Sequence, residues 1–115
     1  MLRSRSRLPV SSFGETSFTV DADWYADLTV DYSTISRMEY RAEGVPGTRV
    51  YGYGSPRLRM GTFKNDEFGT YTRYTANSGG PCVVLRSGEG VLVLSGADEA
   101  ATRALYETLE GKLTH

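Results

Sequence analysis

Seven short strand-like runs followed by one amphipathic segment constrain this chain more than any other feature. The clearest pair is Cys82–Arg86 and Val91–Leu94, which flank Ser87-Gly88-Glu89-Gly90, a tight hairpin signal. Upstream, Thr16–Val20 puts Phe18 and Val20 on one face, and Leu28–Tyr32 does the same with Leu28, Val30 and Tyr32. Ile35–Arg41 follows the Ser33-Thr34 break. In Arg57–Phe63, Leu58, Met60 and Thr62 alternate with Arg57, Arg59, Gly61 and Phe63. Thr70–Thr75 is a Thr/Tyr run of high strand propensity, and Asn77-Ser78-Gly79-Gly80-Pro81 marks a turn.

The helix closes the chain. Ser95 is placed to cap it, with Asp98 three residues on completing a capping box and sitting well on the helix dipole. Ala97, Ala101, Leu105, Leu109 and Leu113 step by four along one side, and Ala104 widens the stripe. Arg103, Glu107 and Glu110 point outward, and Gly111 ends or frays the helix. Strands first and one helix last predict a mainly β fold. The expected form is a barrel of seven antiparallel strands in two bent sheets, its open end capped by the C-terminal α-helix. At 115 residues the chain is long enough for one domain with an unstapled core. Residues 1–12 read as a flexible basic arm, because Arg3, Arg5 and Arg7 alternate with Ser and Leu and build no apolar face. Residues 13–115 read as the domain.

Several segments together resemble a bacterial pleckstrin-homology (PH)-like family. They are Tyr32-Ser-Thr-Ile35, Gly52-Tyr-Gly-Ser-Pro-Arg-Leu58, Gly61-Thr-Phe63, Phe68-Gly-Thr-Tyr71, and Leu92-Val-Leu-Ser95 ahead of Asp98. The resemblance spans roughly residues 28–113 and implies a PH-like barrel. It also implies a setting in which such domains often form the soluble part of a membrane-associated protein. No run here approaches the ~20 apolar residues of a membrane span. The N-terminus lacks the apolar stretch of a secretory signal. The expected location is cytoplasmic, with membrane association left open.

Chemistry is sparse. The sole histidine is the last residue, His115, so no Ser-His or Cys-His pair can be built within the domain. Cys82 opens a strand, where a small buried side chain is expected, and as the only cysteine it forms no internal disulfide. Asp21, Asp23 and Asp27 crowd around Trp24, but they lack the glycine and terminal glutamate of an EF-hand loop and read as a solvated turn. Trp24 and Tyr25 are expected to pack back over the barrel end. No enzymatic activity, metal or cofactor is expected.

Phosphoinositide binding is excluded on charge, since the loop between the first two strands, residues 21–27, has three aspartates and no Lys or Arg. Arg49, Arg57, Arg59, Lys64 and Arg73 with Tyr51, Tyr53, Tyr71 and Tyr74 have the composition of a single-strand binder. The net charge of −1 and the acidic isoelectric point near 5.8 argue against nucleic acid.

The run Gly44–Phe63 reads as a long presentation loop, rich in glycine, tyrosine and arginine. Its expected contact surface is Arg49, Tyr51, Tyr53, Arg57 and Arg59. The partner expected is another protein, a peptide or a second copy of the chain. The alternative is a lipid- or small-ligand-binding module that uses the barrel mouth.

Overall fold

A computed structural model describes residues 10–20, 28–45, 47–54, 59–75, 80–88, 90–96 and 98–113. The chain opens with a three-stranded antiparallel sheet of β1 (Val10–Phe13), β2 (Ser17–Val20) and β3 (Leu28–Asp31), in that order. The alternation read from the sequence is obeyed: Phe18 and Val20 are fully buried, while Leu28 and Val30 are half-buried. A single 3-10 turn, Tyr32–Thr34, swings the chain into the second sheet. The buried Tyr32 anchors this corner. Its N–H donates to the Thr16 carbonyl at 3.0 Å and its hydroxyl to the Gly14 carbonyl at 3.0 Å.

The second sheet contains β4 (Ile35–Arg41), β5 (Thr48–Gly54), β6 (Arg59–Asn65), β7 (Gly69–Thr75), β8 (Cys82–Ser87) and β9 (Gly90–Leu94). Their spatial order is β4-β8-β9-β7-β6-β5. The β8–β9 hairpin thus inserts between β4 and β7. One pairing is parallel, β7 with β9, matching Thr72 to Leu92 and Tyr74 to Leu94. It arises because the chain leaves β7, skips one strand position, and fills it only on the return from β8.

Cys82, Val83, Val84 and Leu85 are all buried, as are Leu92, Val93 and Leu94. A strand covered on one face alternates; one covered on both reads as a continuous apolar run. Val83, Leu85, Leu92 and Leu94 join Phe18, Val20, Tyr32 and Tyr74 in the main core. Cys82, Val84 and Val93, on the opposite pleat, pack with Val45, Phe63 and Tyr71 in a second core. The helix α1 (Glu99–Leu113) completes the main core with Leu105 and Leu109. Full burial of a leucine is worth about 1.5–3 kcal/mol.

Several expectations need correction. The sequence shows seven of the strands, and β1 and β5 join them. The sheet is mixed rather than wholly antiparallel, and no described strand pairing closes the two sheets into a barrel. β1 begins at Val10, inside the segment assigned to the arm, while residues 1–9 lie outside the described residues. The helix cap is Asp98, whose Oδ1 accepts the Ala101 N–H at 2.8 Å. Ser95 is buried before the helix, and its hydroxyl donates to the Gly96 carbonyl. The helix also continues through Gly111 to Leu113.

Candidate interaction surfaces

The run read as a presentation loop is mostly strand. β5 and β6 form an antiparallel hairpin that pairs Thr48 with Lys64, Gly52 with Gly61 and Gly54 with Arg59. The register slips between Arg49 and Tyr51, so Val50 is the extra residue of a β-bulge. Val50 is 55% exposed, and it is the exposed large hydrophobic among the described residues. Arg49, Tyr51 and Tyr53 lie on β5 and Arg59 begins β6, so four of the five expected contact residues share this hairpin. Arg57 lies outside the described residues.

The glycines at the start of this run hold a set geometry instead of loosening it. Gly44 ends the Arg41–Gly44 turn at φ 82°, a left-handed value that strains other residues, and its N–H donates to the Arg41 carbonyl. Just before β5, Gly47 lets the chain pass against the Tyr71 hydroxyl, where a Cβ would collide, and it would stand 3.2 Å from the Lys64 carbonyl.

The basic and aromatic set that has a single-strand binder's composition does not assemble on a surface. Tyr71 and Tyr74 are buried, and so is Arg73. Arg73 donates from Nη1 to the Val45 carbonyl at 2.7 Å and from Nε to the Thr75 hydroxyl at 2.9 Å, and its guanidinium lies over the Phe63 ring. Cys82 is buried as expected, and burial pushes its thiol up to about 11. Residues 21–27, with the three aspartates, Trp24 and Tyr25, lie outside the described residues. Among the described residues no cluster of three or more His, Cys, Asp or Glu could hold a metal, and no helix is long and apolar enough to cross a membrane.

The densest charge cluster is a clasp. Arg41 on β4 donates to both carboxylate oxygens of Glu67 at 2.7 and 2.6 Å, and from Nε to Glu39 at 2.7 Å. Glu67 belongs to the β6–β7 turn. There Phe68 packs under the guanidinium groups of Arg41 and Arg86, with 5.2 and 4.9 Å to its ring centre. The turn is thereby tied to the β4–β8 pair over the second core. The Arg41 hydrogen bonds hold the Glu39 and Glu67 carboxyls below their usual range. These residues satisfy one another, so the cluster serves the fold.

Sequence reasoning gave no functional role to the residues of the cleft between the two sheets. Its volume is about 270 Å³. One wall is the whole of β3, and the rest of the lining mixes Ile35, Leu85 and Leu92 with Thr34, Thr72 and Ser87. Among the described residues that line it, Asp31 is the charged one, and none is Lys or Arg. The sequence signal was the half-exposed alternation of Leu28 to Asp31, which marks an edge strand only once its neighbours are known.

A family model for the bacterial PH domain matches residues 12–112. The chain belongs to the bacterial PH domain family. No curated protein and no solved structure matches it. The two sheets and C-terminal helix of this PH domain fit that assignment.

Proposed function

We propose that this PH domain is a non-enzymatic protein-interaction module whose contact surface is the β5–β6 hairpin. The carrying observation is that β5 is one of the two end strands of the six-stranded sheet and exposes Val50. An edge strand presents unpaired backbone groups, and aromatic and arginine residues are the usual anchors of an interface. Arg49, Tyr51, Tyr53, Arg57 and Arg59 supply them, and the partner is another protein, a peptide or a second copy of the chain. Burial of Arg73, Tyr71 and Tyr74 supports the exclusion of nucleic acid as ligand. The acidic stretch 21–27 supports the exclusion of phosphoinositides. A cytoplasmic setting, with membrane association through a larger assembly, suits the lone buried thiol.

The test is the double variant Tyr51→Ala, Tyr53→Ala. It is expected to keep its melting temperature while losing the association that the parent shows by light scattering. Strong destabilisation with association unchanged would make the hairpin structural and overturn the assignment.

The cleft between the sheets favours a second reading, a lipid- or small-ligand-binding module. Its volume of about 270 Å³ falls just below the ~300–1,000 Å³ usual for small-molecule pockets.

A further inference from the structure

We infer that the cleft between the sheets is a second site, in which an extended peptide pairs with the free edge of β3. It shares no residue with the β5–β6 hairpin.

The backbone makes the case. Tyr32 donates its N–H to the Thr16 carbonyl, which marks that pair as hydrogen-bonded. Antiparallel ladders alternate hydrogen-bonded and non-bonded pairs. In the register Phe18–Val30, Thr19–Thr29 and Val20–Leu28, residues Leu28 and Val30 therefore aim their backbone groups at β2. Thr29 and Asp31 aim theirs away, along the cleft. The Asp31 carbonyl already accepts the Thr34 hydroxyl at 2.8 Å. Among the described residues nothing else pairs with three groups, which remain for an incoming strand: the Thr29 N–H, the Thr29 carbonyl and the Asp31 N–H. No described strand occupies this edge.

The side chains select the occupant. Cross-strand partners share a face of the sheet. Thr29 and Asp31 are exposed, whereas Leu28 and Val30 turn toward the main core. Peptide residues opposite Leu28 and Val30 therefore point into the cleft, onto Ile35, Leu85 and Leu92. They want to be apolar. The residue between them, opposite Thr29, faces solvent. The residue opposite Asp31 meets a carboxylate on a rim whose described residues include no Lys or Arg, so it wants to be basic. For an antiparallel strand this reads, from N to C, as basic, apolar, any, apolar. A volume of about 270 Å³ suits apolar side chains entering from a backbone that lies outside.

The experiment is fluorescence anisotropy of the whole domain with a labelled, end-capped peptide Gly-Ser-Lys-Val-Thr-Val-Ser-Gly. Saturable binding is expected, and an isomer with adjacent valines, Lys-Thr-Val-Val, is expected to bind weakly. Thr29→Pro deletes the outward N–H without touching the β2 ladder. It is expected to weaken binding about tenfold or more with little change in melting temperature. Asp31 makes no side-chain cap bond. Asp31→Lys is expected to reverse the preference toward a peptide with Glu in place of Lys. The Tyr51→Ala, Tyr53→Ala variant is expected to bind the peptide like the parent, so failure of the hairpin assignment and failure of this one are separable. Absence of saturable binding, or equal binding by Thr29→Pro, overturns the inference. So does occupation of the cleft by anilinonaphthalene sulfonate in parent and Thr29→Pro alike, with no competition by the peptide. Self-association through this edge without peptide binding overturns it in favour of a second copy.

Discussion

Gly47 shows how a single residue can be mistaken for looseness. In the sequence it is one of a crowd of glycines; in the fold it is where the chain passes the Tyr71 ring on its way into β5. Tyr71 is held by edge and tilted contacts to Phe68 and Phe63, so its hydroxyl has little room to retreat. Gly47→Ala is expected to cost about 1–3 kcal/mol, read from the urea midpoint. Cys82 makes the opposite point, since its role as a small buried side chain was legible from its place at the head of an apolar run. A buried thiol with a raised pKa is a poor nucleophile. The native protein is expected to resist a disulfide reagent such as Ellman's at pH 8 and to react fully in denaturant. Rapid reaction without denaturant would contradict the burial.

The clasp carries a pH signature, also set by individual residues. The folded pKa values of Glu39 and Glu67 lie below the ordinary 4.5. Each then contributes stability that is fully present above pH 4.5 and is lost as pH falls through the folded value. The urea midpoint is expected to drop on acidification below that point, and to drop less in Glu67→Gln. Glu67 is half-exposed, so high salt is expected to shrink the effect. Nothing in the sequence paired Arg41 with Glu67, because a separation of 26 residues has no local signal.

Among the elements, α1 was the most readable. Leu105 and Leu109 lie at the buried centre of the stripe seen in the sequence, with Thr102 one turn before. Leu105→Asp is expected to cost several kcal/mol through an unpaired buried charge. A thermal melt within a degree of the parent would refute the capping role. The helix start was misplaced by three residues because Ser95 and Asp98 are both good capping residues. Burial took Ser95 into the core and left Asp98 free to turn its carboxylate on the Ala101 N–H. Asp98→Ala is expected to cost about 1 kcal/mol, measured by denaturant titration. β5 was hidden for a related reason: Thr-Arg-Val-Tyr-Gly-Tyr-Gly has no apolar alternation. An edge strand with a bulge needs none, since β6 supplies its ladder.

For the whole molecule, the two cores imply a graded stability. β8 and β9 are buried on both faces and paired on both edges, whereas β1, β3, β4 and β5 end their sheets. Amide exchange is expected to be slowest in Val83–Leu85 and Leu92–Leu94 and fastest at the outer edges of the end strands, β1, β3, β4 and β5. Uniform protection across the second sheet would argue that β5 is covered, and with it the proposed contact surface.

The sequence by itself determined the mainly β class, the strands whose apolar residues alternate or run on, the helical stripe and the buried cysteine. Each depends on the period of neighbours along the chain, which local residues carry. Only the tertiary structure decided that β9 runs beside β7 in parallel and that Arg73 is buried. It alone tied the β6–β7 turn to Arg41 and left the β3 edge open above the cleft between the sheets. Those outcomes depend on which distant segments meet, and edge or centre is a property of a strand's neighbours rather than of its own residues.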